Sequence, residues 1–261
     1  MELEAFKQTA IDAATEGARI LRSHFGNISS IRKKAADEIV TEADTESEKK
    51  IISIIHAKFP DHAVLSEECG LIPGASEYKW IIDPLDGTVN FSRRIPFFAI
   101  SIALTDGDDT LVGIVLNPEN GELFSAVRGQ GAQLNGRSLQ VSTTSTIADS
   151  LLVTGFPYNV ADLFELLIYR YGNCMKAARG IRRLGAAALD LCYVACGCFD
   201  GYWEQDLKPW DSAAGALMVA EAGGRVTTFS NRPYTVDHLE ILATNGLVHE
   251  EMLGLLEIQE G

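Results

Sequence analysis

The chain has 261 residues, of which 46% are hydrophobic and 22% charged, and its formal net charge at pH 7 is −14. This length is sufficient for a large hydrophobic core, and no apolar run approaches the roughly 18 residues of a membrane span. The acidic balance argues against nucleic acid as the main partner, because binding to a phosphate backbone needs a basic face.

The N-terminal segment has early acids and a helical apolar pattern over residues 3–25. This pattern predicts an amphipathic helix and is typical of neither a signal peptide nor a transit peptide. The cysteine count is five, an odd number. Together these features lead us to expect reduced thiols in a cytoplasmic protein.

A short extended piece at 39–41 is predicted next, followed by a second helix. Thr45 and Glu48 have the spacing of a capping box, which predicts that this helix begins there, and Pro60 ends it. Five strands are then expected, the last three of them antiparallel. They lie at 64–65, 80–82, 97–105, 110–116 and 122–128.

After about residue 145 the pattern changes to alternating helices and strands, which predicts an α/β half. Helices are expected at 160–178, 185–197, 211–222 and 247–258, and strands at 151–153, 200–204, 225–228 and 240–243. We therefore predict an N-terminal α+β lobe (1–145) with two helices on a largely antiparallel sheet, and a C-terminal α/β lobe (146–261). The boundary is soft, and we expect one compact unit.

The segment 80–91, WIIDPLDGTVNF, is the most informative part of the chain. Pro84 and Gly87 predict a turn in which the carboxylates of Asp83 and Asp86 converge. Such oxygen ligands, with a nearby backbone carbonyl, are those that magnesium prefers. Asp-Pro and Asp-Gly are also ordinary turn pairs, so the segment alone leaves both interpretations open.

Further residues favour the metal interpretation. Free N–H groups at Gly87 and Thr88 would form an anion site if a helical turn begins there. Glu67 follows a predicted strand, and Asp211 opens a predicted helix in the second half of the chain. Taken singly, these acids are typical of solvated surface or of a helix cap. Together with Asp83 and Asp86 they would repel one another unless divalent cations lay between them.

The chain resembles the inositol monophosphatase family, within the magnesium-dependent, lithium-sensitive phosphatases. The resemblance covers nearly the whole chain. It depends on WIIDPLDGTVNF together with four further motifs. These are IVTEAD at 39–44, SEE at 66–68, GYWEQDLKPWD at 201–211 and WDSAAGALMVAEAGG at 210–224.

The resemblance implies a layered αβαβα sandwich, commonly a homodimer, with two or three Mg²⁺ ions per active site. The implied metal ligands are Glu67, Asp83, Asp86, Asp211 and the Leu85 carbonyl. The implied catalytic groups are Thr88 and Asp44, a dyad that together with Glu67 orients and activates a metal-bound water. The implied substrate contacts are Gly87 and Thr88 for the phosphate, Glu204 for ring hydroxyls, Gly185 and Ala187 for the alcohol side, and Asp211.

The implied reaction is hydrolysis of a small phosphomonoester, with inositol 1-phosphate as the leading substrate. Fructose 1,6-bisphosphate, a 3′,5′-bisphosphonucleotide and histidinol phosphate stay open. Ala186 stands where family members often carry Ser or Thr, so a hydroxyl is missing from the substrate wall. Arg182 and Arg183 either serve a second phosphate or are solvated or dimer-facing. A regulatory binding protein that retains the fold is the alternative of another class.

Overall fold

The computed structural model describes residues 2–27, 31–33, 39–157 and 160–257, and these contain seven α-helices and fifteen strands. The helices are α1 (Glu2–His24), α2 (Glu42–Lys58), α3 (Thr88–Ser92), α4 (Val160–Ala177), α5 (Ala187–Ala195), α6 (Pro209–Glu221) and α7 (His249–Leu256). The strands of the N-terminal part are β1 (Ile31–Lys33), β2 (Ile39–Thr41), β3 (Ala63–Ser66), β4 (Gly70–Ile72), β5 (Tyr78–Asp86), β6 (Ala99–Asp106), β7 (Asp109–Asn117), β8 (Glu122–Val127), β9 (Ala132–Leu134) and β10 (Arg137–Ser138). The C-terminal strands are β11 (Leu151–Thr154), β12 (Gly180–Arg182), β13 (Gly201–Gln205), β14 (Arg225–Thr227) and β15 (Glu240–Thr244).

Two large mixed sheets form the frame of the molecule. The first has eight strands in the order β10-β9-β8-β7-β6-β5-β3-β4, and every pairing in it is antiparallel except β3 with β5. The second has five strands in the order β12-β11-β13-β15-β14, with β11 parallel to both of its neighbours. The largely antiparallel N-terminal sheet and the α/β C-terminal half are therefore as predicted.

The elements stack in five layers, which confirms the αβαβα sandwich. Helices α1 and α2 cover one face of the first sheet, α5 and α6 lie between the sheets, and α4 and α7 cover the outer face of the second sheet. Three apolar clusters fill the space between the layers: one beneath α1 and α2, one around α5 and α6 between the two sheets, and one beneath α4 and α7. The predicted boundary near 145 falls between the last strand of the first sheet and the first strand of the second. That the two lobes form one compact unit stays a prediction.

The N-cap of helix α2 lies four residues earlier than the sequence predicted, at Thr41 and not at Thr45. The N–H of Thr41 donates to Asp44 Oδ2 at 2.8 Å while the N–H of Ala43 donates to Thr41 Oγ1 at 3.2 Å. The capping box predicted for Thr45 and Glu48 is wrong, because Thr41 and Asp44 form the box and Glu48 is buried elsewhere. The correction places Asp44 in the first turn of α2.

Helix α6 likewise starts before the predicted position. It begins at Pro209, so Asp211 is its third residue and not its first. The N–H of Lys208 donates to Asp211 Oδ2 at 2.7 Å. None of the helices within the described ranges has the length and apolarity that crossing a membrane requires.

Candidate active site

Asp83 and Asp86 lie at the end of strand β5, in the middle of the first sheet. The turn predicted at these residues is wrong, because β5 continues to Asp86. A bulge interrupts its pairing with β6: Asp83 is opposite Ser101 and Asp86 is opposite Ala99, so three steps along β5 match two along β6. An extra residue in one strand shifts the alternation of side chains. The bulge therefore lets two residues three apart share one face.

Gly87 turns the chain from β5 into helix α3. Its φ of 89° lies in the left-handed region, which favours glycine. A Cβ at this position would lie 3.1 Å from the Phe97 carbonyl and 3.3 Å from Ala186 Cβ. The predicted helical turn at Gly87 and Thr88 is present, and its glycine also lets the opposite wall of the site come close.

Thr88 connects this turn to helix α2. Its Oγ1 lies 3.2 Å from Asp44 Oδ1 and 3.0 Å from the Leu85 carbonyl. Asp44 is 1% exposed, and burial raises the pKa of its carboxyl to about 6. The structure thus places the predicted dyad within hydrogen-bond distance, next to the carbonyl predicted as a metal ligand.

Glu67 follows β3, beside the end of β5, and its N–H donates to the Ile82 carbonyl at 3.2 Å. The buried carboxylate of Glu48 fixes the backbone on both sides of it. Glu48 Oε1 accepts from Ser66 Oγ at 2.5 Å, and from the N–H groups of Glu68 and Cys69 at 3.1 Å each. Glu48 is therefore a positioning residue for Glu67, which sequence reasoning missed by assigning it to a helix cap.

Asp211 reaches the same place from the second half of the chain. The carbonyl of its neighbour Trp210 accepts from Ser101 Oγ at 3.2 Å, and Ser101 is the residue paired with Asp83. This contact holds the first turn of α6 against the first sheet. Four carboxylates from three separate segments therefore lie near one another; we call Glu67, Asp83, Asp86 and Asp211 the acid cluster.

Burial and mutual repulsion both raise pKa values within the acid cluster. Burial raises the pKa of Asp83 well above its usual range, and the charges of Glu67, Asp86 and Asp211 raise it further. Burial likewise raises the pKa of Asp86 to about 7. Within the ranges that the structure describes, however, no three acidic, histidine or cysteine side chains are already arranged to hold a metal ion. The acids are close enough to repel, and metal binding by them stays a prediction.

The predicted substrate wall faces the acid cluster. Ala188 donates its N–H to Asp86 Oδ2 at 2.8 Å, which holds the start of α5 against β5. Asn90 Nδ2 donates to the Leu184 carbonyl at 2.8 Å, next to Gly185, whose φ is 88°. The predicted wall residues Gly185 and Ala187 are therefore adjacent to the predicted phosphate turn.

Glu204 lies near this wall, at the end of β13. Burial and the charge of Asp211 raise the pKa of its carboxyl, to about 7, while a hydrogen bond from Tyr202 and the charge of Arg183 lower it. Burial raises the pKa of Asp190 well above its usual range, and the charge of Arg183 opposes this shift. The buried Oδ1 of Asp190 has no hydrogen-bond partner among the described residues. Arg183 Nη1 would lie 2.9 Å from a Cβ built on Gly185, so it lies beside the predicted substrate wall. Arg182 instead donates to the carbonyl of Ile181, its neighbour in the chain.

Two surface cavities lie away from this constellation. They measure about 520 and 580 Å³ and are lined mainly by α4, α7 and the segment 228–232. Neither is lined by a member of the acid cluster. Buried acids with raised pKa values, such as Asp83 and Asp86, mark the candidate site instead.

Comparison with known proteins agrees with this geometry. The model of the inositol monophosphatase family matches residues 2–260. Inositol-1-monophosphatase of Synechocystis is 44% identical over 252 residues, 94% of this chain and 88% of that protein. Nus factor SuhB of Haemophilus influenzae is 42% identical over 247 residues, with 94% and 92% covered. The solved inositol monophosphatase of Anabaena superposes with a TM-score of 0.90 at 37% identity, covering 98% and 96% of the two chains.

Proposed function

Since the chain belongs to the inositol monophosphatase family, we propose that it hydrolyses a small phosphomonoester, with inositol 1-phosphate as the leading substrate. The observation that carries this proposal is the acid cluster beside the Gly87–Thr88 turn. Cation ligands and a phosphate-binding turn in one place are what phosphoryl transfer requires, because catalysis there is mainly positioning and charge neutralisation.

The donor set fits Mg²⁺. The carboxylates of the acid cluster and the Leu85 carbonyl are hard oxygen ligands, and two of the acids, Asp83 and Asp86, are buried. Burial, and after it the charges of neighbouring acids, raise the pKa values of these two carboxyls, and a bound cation would offset that cost of ionisation. Two or three bound Mg²⁺ ions would supply Lewis-acid activation of water and stabilise the charge on the leaving oxygen.

Residues of the chain itself bind the phosphate, orient the attacking water and accept its proton. The N–H groups of Gly87 and Thr88 bind the phosphate oxygens. Glu67 and the Thr88 hydroxyl orient the attacking water, and the proton of that water passes by way of Thr88 Oγ1 to the Asp44 carboxylate. With a pKa of about 6, Asp44 is largely ionised at neutral pH and is able to accept it. The water oxygen bonds to phosphorus and the ester P–O bond breaks, with its electron pair going to the leaving oxygen. That alkoxide takes a proton from solvent water, and the alcohol leaves past Glu204.

A phosphate-release panel tests this function. Inositol 1-phosphate, fructose 1,6-bisphosphate, a 3′,5′-bisphosphonucleotide and histidinol phosphate are each assayed with Mg²⁺, with EDTA and with added Li⁺. We expect Mg²⁺-dependent release, highest with inositol 1-phosphate and inhibited by Li⁺. Asp83→Asn is the matched control and should release almost no phosphate. Release by Asp83→Asn at the wild-type rate in saturating Mg²⁺ would refute the assignment.

A regulatory role is the second candidate, because several relatives at 38–42% identity are named Nus factor SuhB. In this alternative the fold is retained and its surface binds a partner. The net charge of −14 favours a protein over a nucleic acid as that partner. Affinity capture from extract distinguishes the roles: a stoichiometric partner without measurable phosphate release favours regulation.

We further propose that the protein acts as a homodimer in the cytoplasm. Both proposals come from the resemblance and the cysteine content. Light scattering coupled to size-exclusion chromatography tests the first, since a dimer has twice the mass of the 28.3 kDa chain. Cell fractionation with a tagged chain tests the second.

A further inference from the structure

Glu204 folds back over a residue that has no side chain. Strands β11 and β13 are parallel, with Thr154 opposite Trp203, so Gly155 and Glu204 come next in the same register. A Cβ built on Gly155 would lie 2.0 Å from Glu204 Oε2 and 2.3 Å from its Cδ and Oε1. Real side-chain atoms do not approach this closely, so only glycine at 155 leaves room for the Glu204 carboxylate.

Backbone conformation does not explain the glycine. Gly155 is not one of the described glycines with a positive φ. An alanine would therefore fit its backbone without strain, and the space that it would fill is that of the Glu204 carboxylate. The side chain at 155 is thus coupled to the position of Glu204.

Tyr202 fixes the same carboxylate from its own strand. The Tyr202 side chain is fully buried, and its hydroxyl donates to Glu204 Oε2 at 2.5 Å. Thr154 Oγ1 donates to the Trp203 carbonyl at 2.6 Å, which locks β11 to β13 at this point. The Glu204 carboxylate is therefore held by the hydrogen bond from Tyr202, and it occupies the space that a Cβ at position 155 would fill.

We propose that Gly155 and Tyr202 are positioning residues that set the location of the Glu204 carboxylate and thereby the preference for phosphomonoesters with ring hydroxyls. This role rests on the proposed function, in which Glu204 contacts those hydroxyls. A carboxylate that accepts hydrogen bonds from a substrate discriminates against substrates that lack the hydroxyl. Moving it by the size of a methyl group should weaken that discrimination and leave the phosphate chemistry in place.

The experiment compares kcat/KM for inositol 1-phosphate with kcat/KM for p-nitrophenyl phosphate, which has no ring hydroxyl. We expect Gly155→Ala and Tyr202→Phe each to lower the ratio about tenfold, as for a lost hydrogen bond to a charged group. The rate with p-nitrophenyl phosphate should change less than about threefold. Gly172→Ala is the matched control, because a Cβ there meets nothing within 4 Å.

A double-mutant cycle isolates the mechanism. In a Glu204→Ala background the carboxylate that Gly155→Ala displaces is gone, so adding Gly155→Ala should leave the ratio unchanged. An equal further loss in that background would overturn the proposal, as would equal losses for both substrates. If Gly155→Ala does not fold, the Tyr202→Phe ratio decides. Failure of the wild type to hydrolyse either substrate would instead refute the proposed function.

Discussion

Asp86→Asn should stabilise the protein in the absence of metal while removing its response to Mg²⁺. The substitution removes one negative charge from the acid cluster and keeps the shape of the side chain. The amide oxygen of Asn can still accept from the Ala188 N–H, so the contact between β5 and α5 is retained. Any change in the free energy of unfolding then comes mainly from the charge.

The size of the gain follows from the pKa of Asp86. Burial raises that pKa from 3.8 to about 7, so the native state binds the proton more tightly than the unfolded chain. The resulting cost is absent below pH 3.8, grows as the pH rises and is complete above about pH 7. At about 1.4 kcal/mol per pKa unit the cost at pH 8 is at most about 4 kcal/mol. We expect Asp86→Asn to recover about 2–4 kcal/mol of it.

The measurement is urea unfolding of both proteins at pH 5 and pH 8, in EDTA and in Mg²⁺. In EDTA the gain should be larger at pH 8 than at pH 5. Magnesium at 100 times its Kd should stabilise the wild type by about 2.7 kcal/mol and the variant far less. Asp200→Asn is the matched control: Asp200 is buried but accepts from Ser142 Oγ and the Leu151 N–H, so its amide should destabilise.

Two results would refute this reasoning. A loss of stability at pH 8 in EDTA, similar to that of Asp200→Asn, would show that charge repulsion at Asp86 is negligible. Equal stabilisation of wild type and variant by Mg²⁺ would show that Asp86 does not bind the metal.

Three further predictions concern the dyad, a buried histidine and a close backbone contact. Thr88→Val should lower kcat at least about 100-fold, because it removes the hydroxyl beside Asp44, whereas Thr88→Ser should keep most of the activity. Equal kcat values for Thr88→Val and Thr88→Ser would exclude the dyad. Burial lowers the pKa of His249 from 6.5 to about 4, so the native state favours the neutral ring. The free energy of unfolding should therefore fall by about 3 kcal/mol as the pH drops from 6.5 to 4. Urea unfolding across this pH range measures the loss, which should be absent in His249→Gln. Gly224→Ala should cost at least about 1–3 kcal/mol because its Cβ would lie 2.5 Å from a backbone carbonyl, whereas Gly254→Ala, with open space, should not lower the melting temperature.

The sequence predicted best those elements whose own pattern determines them. Helix α1 was expected at 3–25 and spans Glu2–His24, because its apolar face meets the first sheet continuously. The antiparallel strands β6, β7 and β8 also lie close to their predicted positions. In each case one buried face repeats with the period of the element, and no distant partner is needed to specify it.

The errors occurred where a distant residue decides the local structure. The Asp83–Asp86 segment has turn residues, yet pairing with β6 keeps it in a strand and places a bulge there. Glu48 has the spacing of a helix cap, yet its buried carboxylate instead accepts hydrogen bonds from Ser66 and from the backbone of residues 68–69. Neither partner is visible in a window of neighbouring residues.

The same reasoning explains why the acid cluster was foreseeable and the fixing of Glu204 was not. Carboxylates in recognisable motifs can be identified as candidate metal ligands from the sequence, and only their convergence has to be read from the fold. Gly155 carries no such signal in the sequence. It matters because it has no Cβ facing Glu204, which lies 49 positions away on a parallel strand and continues the Thr154–Trp203 pairing. We therefore expect substrate choice to depend on packing between β11 and β13, and the reaction to depend on the end of β5. Substitutions near Gly155 should change which substrate is preferred without removing the reaction.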